Sequence, residues 1–141
     1  MVDTTVIHRI LGSLNEGLEH LKSKRKVSLE QYKKDRDIQA IVERRLETAI
    51  QACIDIGNHI ISQQNLGYPS DYGEIFLILA QKQVIPGQLA ERLIRMAGFR
   101  NVLIHEYRDI LVDKVYDILQ NRLSDFYEFS QAVLDYIKKQ G

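Results

Sequence analysis

Between Ile38 and Ile61 the apolar residues Ile38, Ile41, Val42, Leu46, Ala49, Ile50, Cys53, Ile54, Ile60 and Ile61, with Gly57 among them, recur in helical steps with no proline between them. Side chains spaced by three and four form one stripe on an α-helix. This stripe is wide enough to face two neighbours, so the chain has to build around a central helix. Upstream, Ser28 and Gln31 form a capping-box pattern. One long helix is therefore expected from Ser28 to about Gln64, before the turn-rich stretch NLGYPSD.

Four further segments carry the same period. A first helix from about Thr5 to Lys24 places Ile7, Ile10, Leu11, Leu14, Leu18 and Leu21 on one side. Asp71 with Glu74 starts a short helix whose stretch from Ile75 to Leu79 is apolar on every side, the pattern of a fully buried element. Pro86 suits the first turn of a helix that turns Leu89, Leu93, Ile94 and Ala97 inward. A last helix, from about Asp109 to Lys138, repeats Val115, Ile118, Leu119, Phe126, Phe129, Val133 and Ile137. With only Pro69 and Pro86 as prolines and no strand-like alternation, the expected fold is all-α. It is an up-and-down bundle of four to five helices, one domain over residues 1–141.

Composition narrows the function. Lysine plus arginine and aspartate plus glutamate both number 19, so no excess charge coats nucleic acid or a membrane surface, and any RNA contact has to be local. Cys53 is the only cysteine, which rules out an internal disulfide and a cysteine-built zinc cage and fits a reducing cytoplasm. The start, MVDTTVIHRI, lacks a signal-peptide pattern, and the apolar run from Ile75 to Ala80 is too short to span a bilayer. The expectation is a soluble cytoplasmic protein with no membrane contact, no resident metal and no cofactor.

The segment RNVLIHEY, from Arg100 to Tyr107, carries the chemistry. Guanidinium binds phosphate oxygens through paired donors, and imidazole titrates near neutrality, so Arg100 and His105 suit work on a phosphodiester. With four histidines and ten arginines in the chain, about 0.3 such pairs arise by chance; a tyrosine two places after the histidine lowers this to about 0.01. On a straight helix Arg100 and His105 diverge by about 140°, whereas Arg100 and Tyr107 share a face. A site using all three requires the helix to end or bend between Leu103 and Tyr107, with His105 at a helix end.

Arg100, Asn101, His105 and Tyr107 resemble the arginine, polar residue, spacer, histidine and following tyrosine of HEPN-domain, HepT-like toxins. ERRLETAIQACIDIGNHII, from Glu43 to Ile61, and YPSDYGEIFLILAQKQVIP, from Tyr68 to Pro86, are similar to that family's central helix and the turn and helix after it. The likeness spans about Arg36 to Tyr127. It implies a metal-independent ribonuclease, the toxin of a type II or type VII-like toxin–antitoxin system, with Arg100 and His105 catalytic and Asn101 positioning the phosphate or supporting the backbone. It also implies a homodimer and an RNA substrate. Its antitoxin is a minimal nucleotidyltransferase that neutralises it by adenylating Tyr107. The competing expectations are a non-catalytic substrate-binding or docking subunit of a nucleotidyltransferase, and a purely structural dimerisation domain.

Other residues have plainer readings. Asp55 and His59 share a helix face, but two ligands fall short of a zinc site, and a hydrogen-bonded pair at a helix interface is the simpler expectation. Cys53 on the apolar stripe reads as a buried thiol rather than a nucleophile. The basic run KSKRK, from Lys22 to Lys26, is either a solvated helix end or a patch that steers RNA. Tyr116, Phe126, Tyr127, Phe129 and Tyr136 fit packing or dimer contact better than base stacking, and His8 and His20 belong to no pattern.

Overall fold

The computed structural model describes residues 3–104 and 108–140, with residues 108–110 as backbone only. All its regular elements are α-helices: α1 Thr4–Ser23, α2 Leu29–Lys34, α3 Arg36–Gln64, α4 Tyr72–Gln81, α5 Gly87–Ile104, α6 Arg108–Asn121 and α7 Leu123–Gln140. The all-α architecture matches expectation. Two of the expected helices are each divided in two.

The first division is at Asp35. The Ser28–Gln31 capping box is present, with both of its hydrogen bonds at 3.1 Å, but it caps only the short α2. Asp35 then takes an extended backbone, and its carboxylate accepts from Ile38 N at 3.1 Å, starting α3 afresh. Gln39 Nε2 donates to the Tyr32 carbonyl at 2.8 Å, taking up an end-of-helix acceptor. The bend tucks Tyr32 wholly inside, its ring 5.4 Å from that of Tyr116.

The second division is at Arg122. The steps from Leu119 to Leu123 to Phe126 stay in helical phase across it, so the spacing hides the break. The break lets the chain after α1 take hold of α6: Arg25 Nε donates to the Leu119 carbonyl at 2.9 Å and Gln120 Nε2 to the Arg25 carbonyl at 2.8 Å. Arg25 of the basic run thus caps α6. Lys22 of the same run pairs with Glu19 at 3.5 Å and lies over the Tyr127 ring.

Helix α3 is central, touching all six other helices. Its Gly57 makes room for α4: a Cβ there would lie 2.6 Å from Ile75 Cγ2 and 3.1 Å from Leu79 Cδ1. Asp71 caps α4 by accepting from Glu74 N at 2.8 Å. Leu77 is 47 % exposed, so α4 is not buried all round; it lies against α3 and α5 on one side and open on the other. Phe126 and Phe129 are fully buried, while the hydroxyls of Tyr116, Tyr127 and Tyr136 donate to the Val27 carbonyl, Glu19 and Gln64. These aromatics pack. Cys53 is buried, and burial pushes its thiol far above the ordinary range. Among the described residues no helix is long and apolar enough to cross a membrane.

Candidate functional site

Arg100 lies in the last turns of α5. Leu93, Met96, Ala97 and Leu103, seven, four and three residues before it and three after, are all buried, so α5 directs the Arg100 stem along its core side. Its Nε is buried and has no hydrogen-bond partner among the described residues. Its guanidinium carbon is 5.6 Å from the centre of the Tyr72 ring, at the start of α4. The ring attracts the cation without neutralising it.

Asn101 is exposed and shares an open cavity of about 540 Å³ with residues of the α4 start and the adjacent face of α5. Tyr72 lines this cavity as well. The structure therefore brings Arg100 and Asn101 to the same end of α4, each beside Tyr72. His105 and Tyr107, and with them the expectation that His105 sits at a helix end, lie outside the described residues. Tyr72 was missed from sequence, where Asp71 and Glu74 were read only as the start of a short helix; the signal available was an aromatic placed immediately after a capping aspartate.

The expected Asp55–His59 pair does not form. Asp55 is exposed and accepts from Gln51 Nε2 one turn back at 2.8 Å, while His59 Nε2 is buried with no partner among the described residues. Among those residues no three metal-ligating side chains come together.

The family model described as ribonuclease HepT-like matches residues 14–133. This chain belongs to the ribonuclease HepT-like family. The match runs beyond both ends of the stretch whose resemblance was visible in sequence. The mRNA nuclease HepT of Shewanella oneidensis is 38 % identical over 103 residues, 73 % of this chain and 77 % of that protein. The tRNA nuclease HepT of Aphanizomenon flos-aquae is 34 % identical over 106 residues, 75 % of this chain and 72 % of that one. A solved structure of the tri-AMPylated Shewanella oneidensis HEPN toxin in complex with MNT antitoxin superposes with a TM-score of 0.86 at 31 % identity, covering 96 % of this chain and 99 % of that one. Membership of the HepT-like family thus accounts for the helical fold.

Proposed function

We propose that this HepT-like ribonuclease cuts RNA with Arg100 and His105 as its catalytic pair and Asn101 positioning the phosphate. It acts in the cytoplasm as a toxin that a minimal nucleotidyltransferase neutralises by adenylating Tyr107. One observation supports the Arg100 role above the rest: its Nε is buried and unspent beside Tyr72. A buried donor left unpaired is costly, and a phosphate oxygen is the acceptor that would offset the cost.

In the reaction, the ribose 2′-oxygen attacks the neighbouring phosphorus and the bond to the 5′-oxygen breaks. His105 takes the 2′-hydroxyl proton or supplies one to the leaving oxygen, and Arg100 stabilises the charge gathering on the phosphoryl oxygens. The nucleophile belongs to the substrate, so the reaction as written uses no metal. One histidine cannot serve as acid and base in the same step, so two chains pair and bring two RNVLIHEY segments to one substrate. A catalytically active monomer in sedimentation would remove the need for that dimer.

Adenylation of Tyr107 adds a bulky anionic phosphate near Arg100, where substrate phosphate is needed. The solved Shewanella toxin, tri-AMPylated in complex with MNT antitoxin, supports this reading. The test is expression of the protein alone and together with its nucleotidyltransferase. Alone, it should arrest growth and degrade RNA; together, growth should recover as the peptide bearing Tyr107 gains adenylate mass. Recovery with an unmodified peptide would contradict the covalent switch, and intact RNA in arrested cells would favour a non-catalytic docking subunit.

A further inference from the structure

On another face of α5 from Asn101, a second cavity of about 310 Å³ lies against α6 and the turn into α7. Its floor is apolar: Met96, Phe99 and Ile118 are each at least nine-tenths buried. Four cations line it, Arg92, Arg95, Lys114 and Arg122, against the two carboxylates Asp117 and Asp125.

These charges are not equivalent. Arg92 is already committed. Its Nε is 2.9 Å from Asp125 Oδ1, an ion pair too poorly aligned for a hydrogen bond, and its Nη2 donates to both carboxylate oxygens of Glu128 at 3.0 Å. Asp117 accepts from Asn121 at 2.7 Å. Arg95, Lys114 and Arg122 are exposed and make no ion pair among the described residues. Lys114 Nζ lies 5.6 Å from the Phe99 ring centre.

We propose that this cavity seats a phosphate of the bound RNA other than the one that is cut, held by Arg95, Lys114 and Arg122, with the attached ribose or base over the apolar floor. The proposal rests on the ribonuclease reading above. Three observations favour it. The chain as a whole carries equal numbers of acidic and basic residues, so three cations around one cavity that make no ion pair among the described residues, with Arg122 acting on Asp125 only from a distance, are a local departure suited to a phosphate. The cavity is bounded by α5 and α6, the helices on either side of residues 105–107. Of the nearby carboxylates, Asp125 and Glu128 are offset by Arg92 and only Asp117 is held by a neutral donor, so the local balance stays favourable for a single phosphate, while a broad acidic protein surface would meet all three.

The test uses the full chain and a fluorescein-labelled single-stranded RNA with 2′-O-methyl groups throughout, which binds but cannot be cut. Anisotropy is measured across a salt series for the unsubstituted protein, for Arg95→Gln/Lys114→Gln/Arg122→Gln, and for Lys138→Gln/Lys139→Gln at the far end of α7. All three target positions are exposed, and circular dichroism confirms folding. The triple variant should bind at least ~10-fold more weakly, and its slope of log affinity against log salt should flatten by about 0.7, the value for one lost single-strand phosphate contact. The α7-end variant should match the unsubstituted protein.

Unchanged affinity and slope in a folded triple variant would overturn the proposal, as would absence of RNA binding by the unsubstituted protein. Retained RNA binding with loss of binding to the nucleotidyltransferase would overturn it too, reassigning the cavity to a protein partner. Because the probe cannot be cut, a protein that binds it through these residues but cleaves no ordinary RNA would overturn the ribonuclease reading alone.

Discussion

The guanidinium carbon of Arg100 lies 5.6 Å from the centre of the Tyr72 ring, and no described acceptor meets its buried Nε. A carboxylate in that place would hold the arginine more firmly but would also neutralise it and fill the phosphate position. The aromatic face fixes the cation while leaving its donors free.

Replacing Tyr72 with leucine should therefore lower kcat/KM for RNA by about fivefold, the equivalent of about 1 kcal/mol of cation–π attraction. Phenylalanine at the same position should keep most of the activity, since the ring rather than the hydroxyl holds the cation. Steady-state cleavage of a labelled oligonucleotide by the two variants checks this.

Arg100→Leu should abolish cleavage yet raise the unfolding free energy by about 1 kcal/mol, because a half-buried arginine with an unpaired, buried Nε gives way to an apolar side chain. Urea unfolding reads the sign. A destabilised Arg100→Leu protein would mean that the arginine is a structural residue.

Much of this arrangement was legible in the sequence, for identifiable reasons. The stripe from Ile38 to Ile61 located the central helix because burial on several sides demands apolar residues at steps of three and four, and α3 is buried along that stripe from Val42 onward, Ile38 being half-buried and Ile41 exposed. Asp71 announced the start of α4 because a capping carboxylate is a local device. The break at Arg122 escaped because apolar phase continues through it, and the one at Asp35 because the charged run KKDRD between Tyr32 and Ile38 carries no apolar phase at all; they depend on Tyr32 finding Tyr116 and Arg25 finding the Leu119 carbonyl, partners roughly 80 to 95 residues away in the chain. Arg100 was singled out by its neighbours in RNVLIHEY, but Tyr72 was not, since a ring 28 positions earlier becomes its partner only once α4 lies on α5.

Gly57→Ala should destabilise the protein by about 1–3 kcal/mol, as overpacking does where a helix has no room to retreat. The added methyl would meet Ile75 Cγ2 at 2.6 Å. Gly12→Ala, where nothing lies within 4 Å, serves as the control and should be neutral or slightly stabilising. Thermal melts of the two variants distinguish a packing limit at Gly57 from a general dislike of alanine in these helices.

The contact between α1 and α7 should be sensitive to acid. The Tyr127 hydroxyl donates to Glu19 Oε2 at 2.7 Å, and this bond, with Lys22 beside it, holds the Glu19 carboxyl below its ordinary value. A carboxylate favoured in its ionised form by folding adds stability above its unfolded pKa and loses it as pH falls through the folded one. The stability lost in Tyr127→Phe should therefore be largest near neutrality and should shrink as Glu19 becomes protonated. Denaturant unfolding of the two proteins from pH 7 down to pH 3 follows it; a difference independent of pH would remove Glu19 from the account.

The central claim is that Arg100 and His105 together cut RNA without a metal. Its most direct test is single-turnover cleavage of a labelled single-stranded RNA in excess EDTA by the purified protein, Arg100→Ala and His105→Ala. The account predicts cleavage by the unsubstituted protein and a loss of at least ~100-fold in each folded variant. Equal rates in all three proteins, or activity that returns only with a divalent ion, would contradict it.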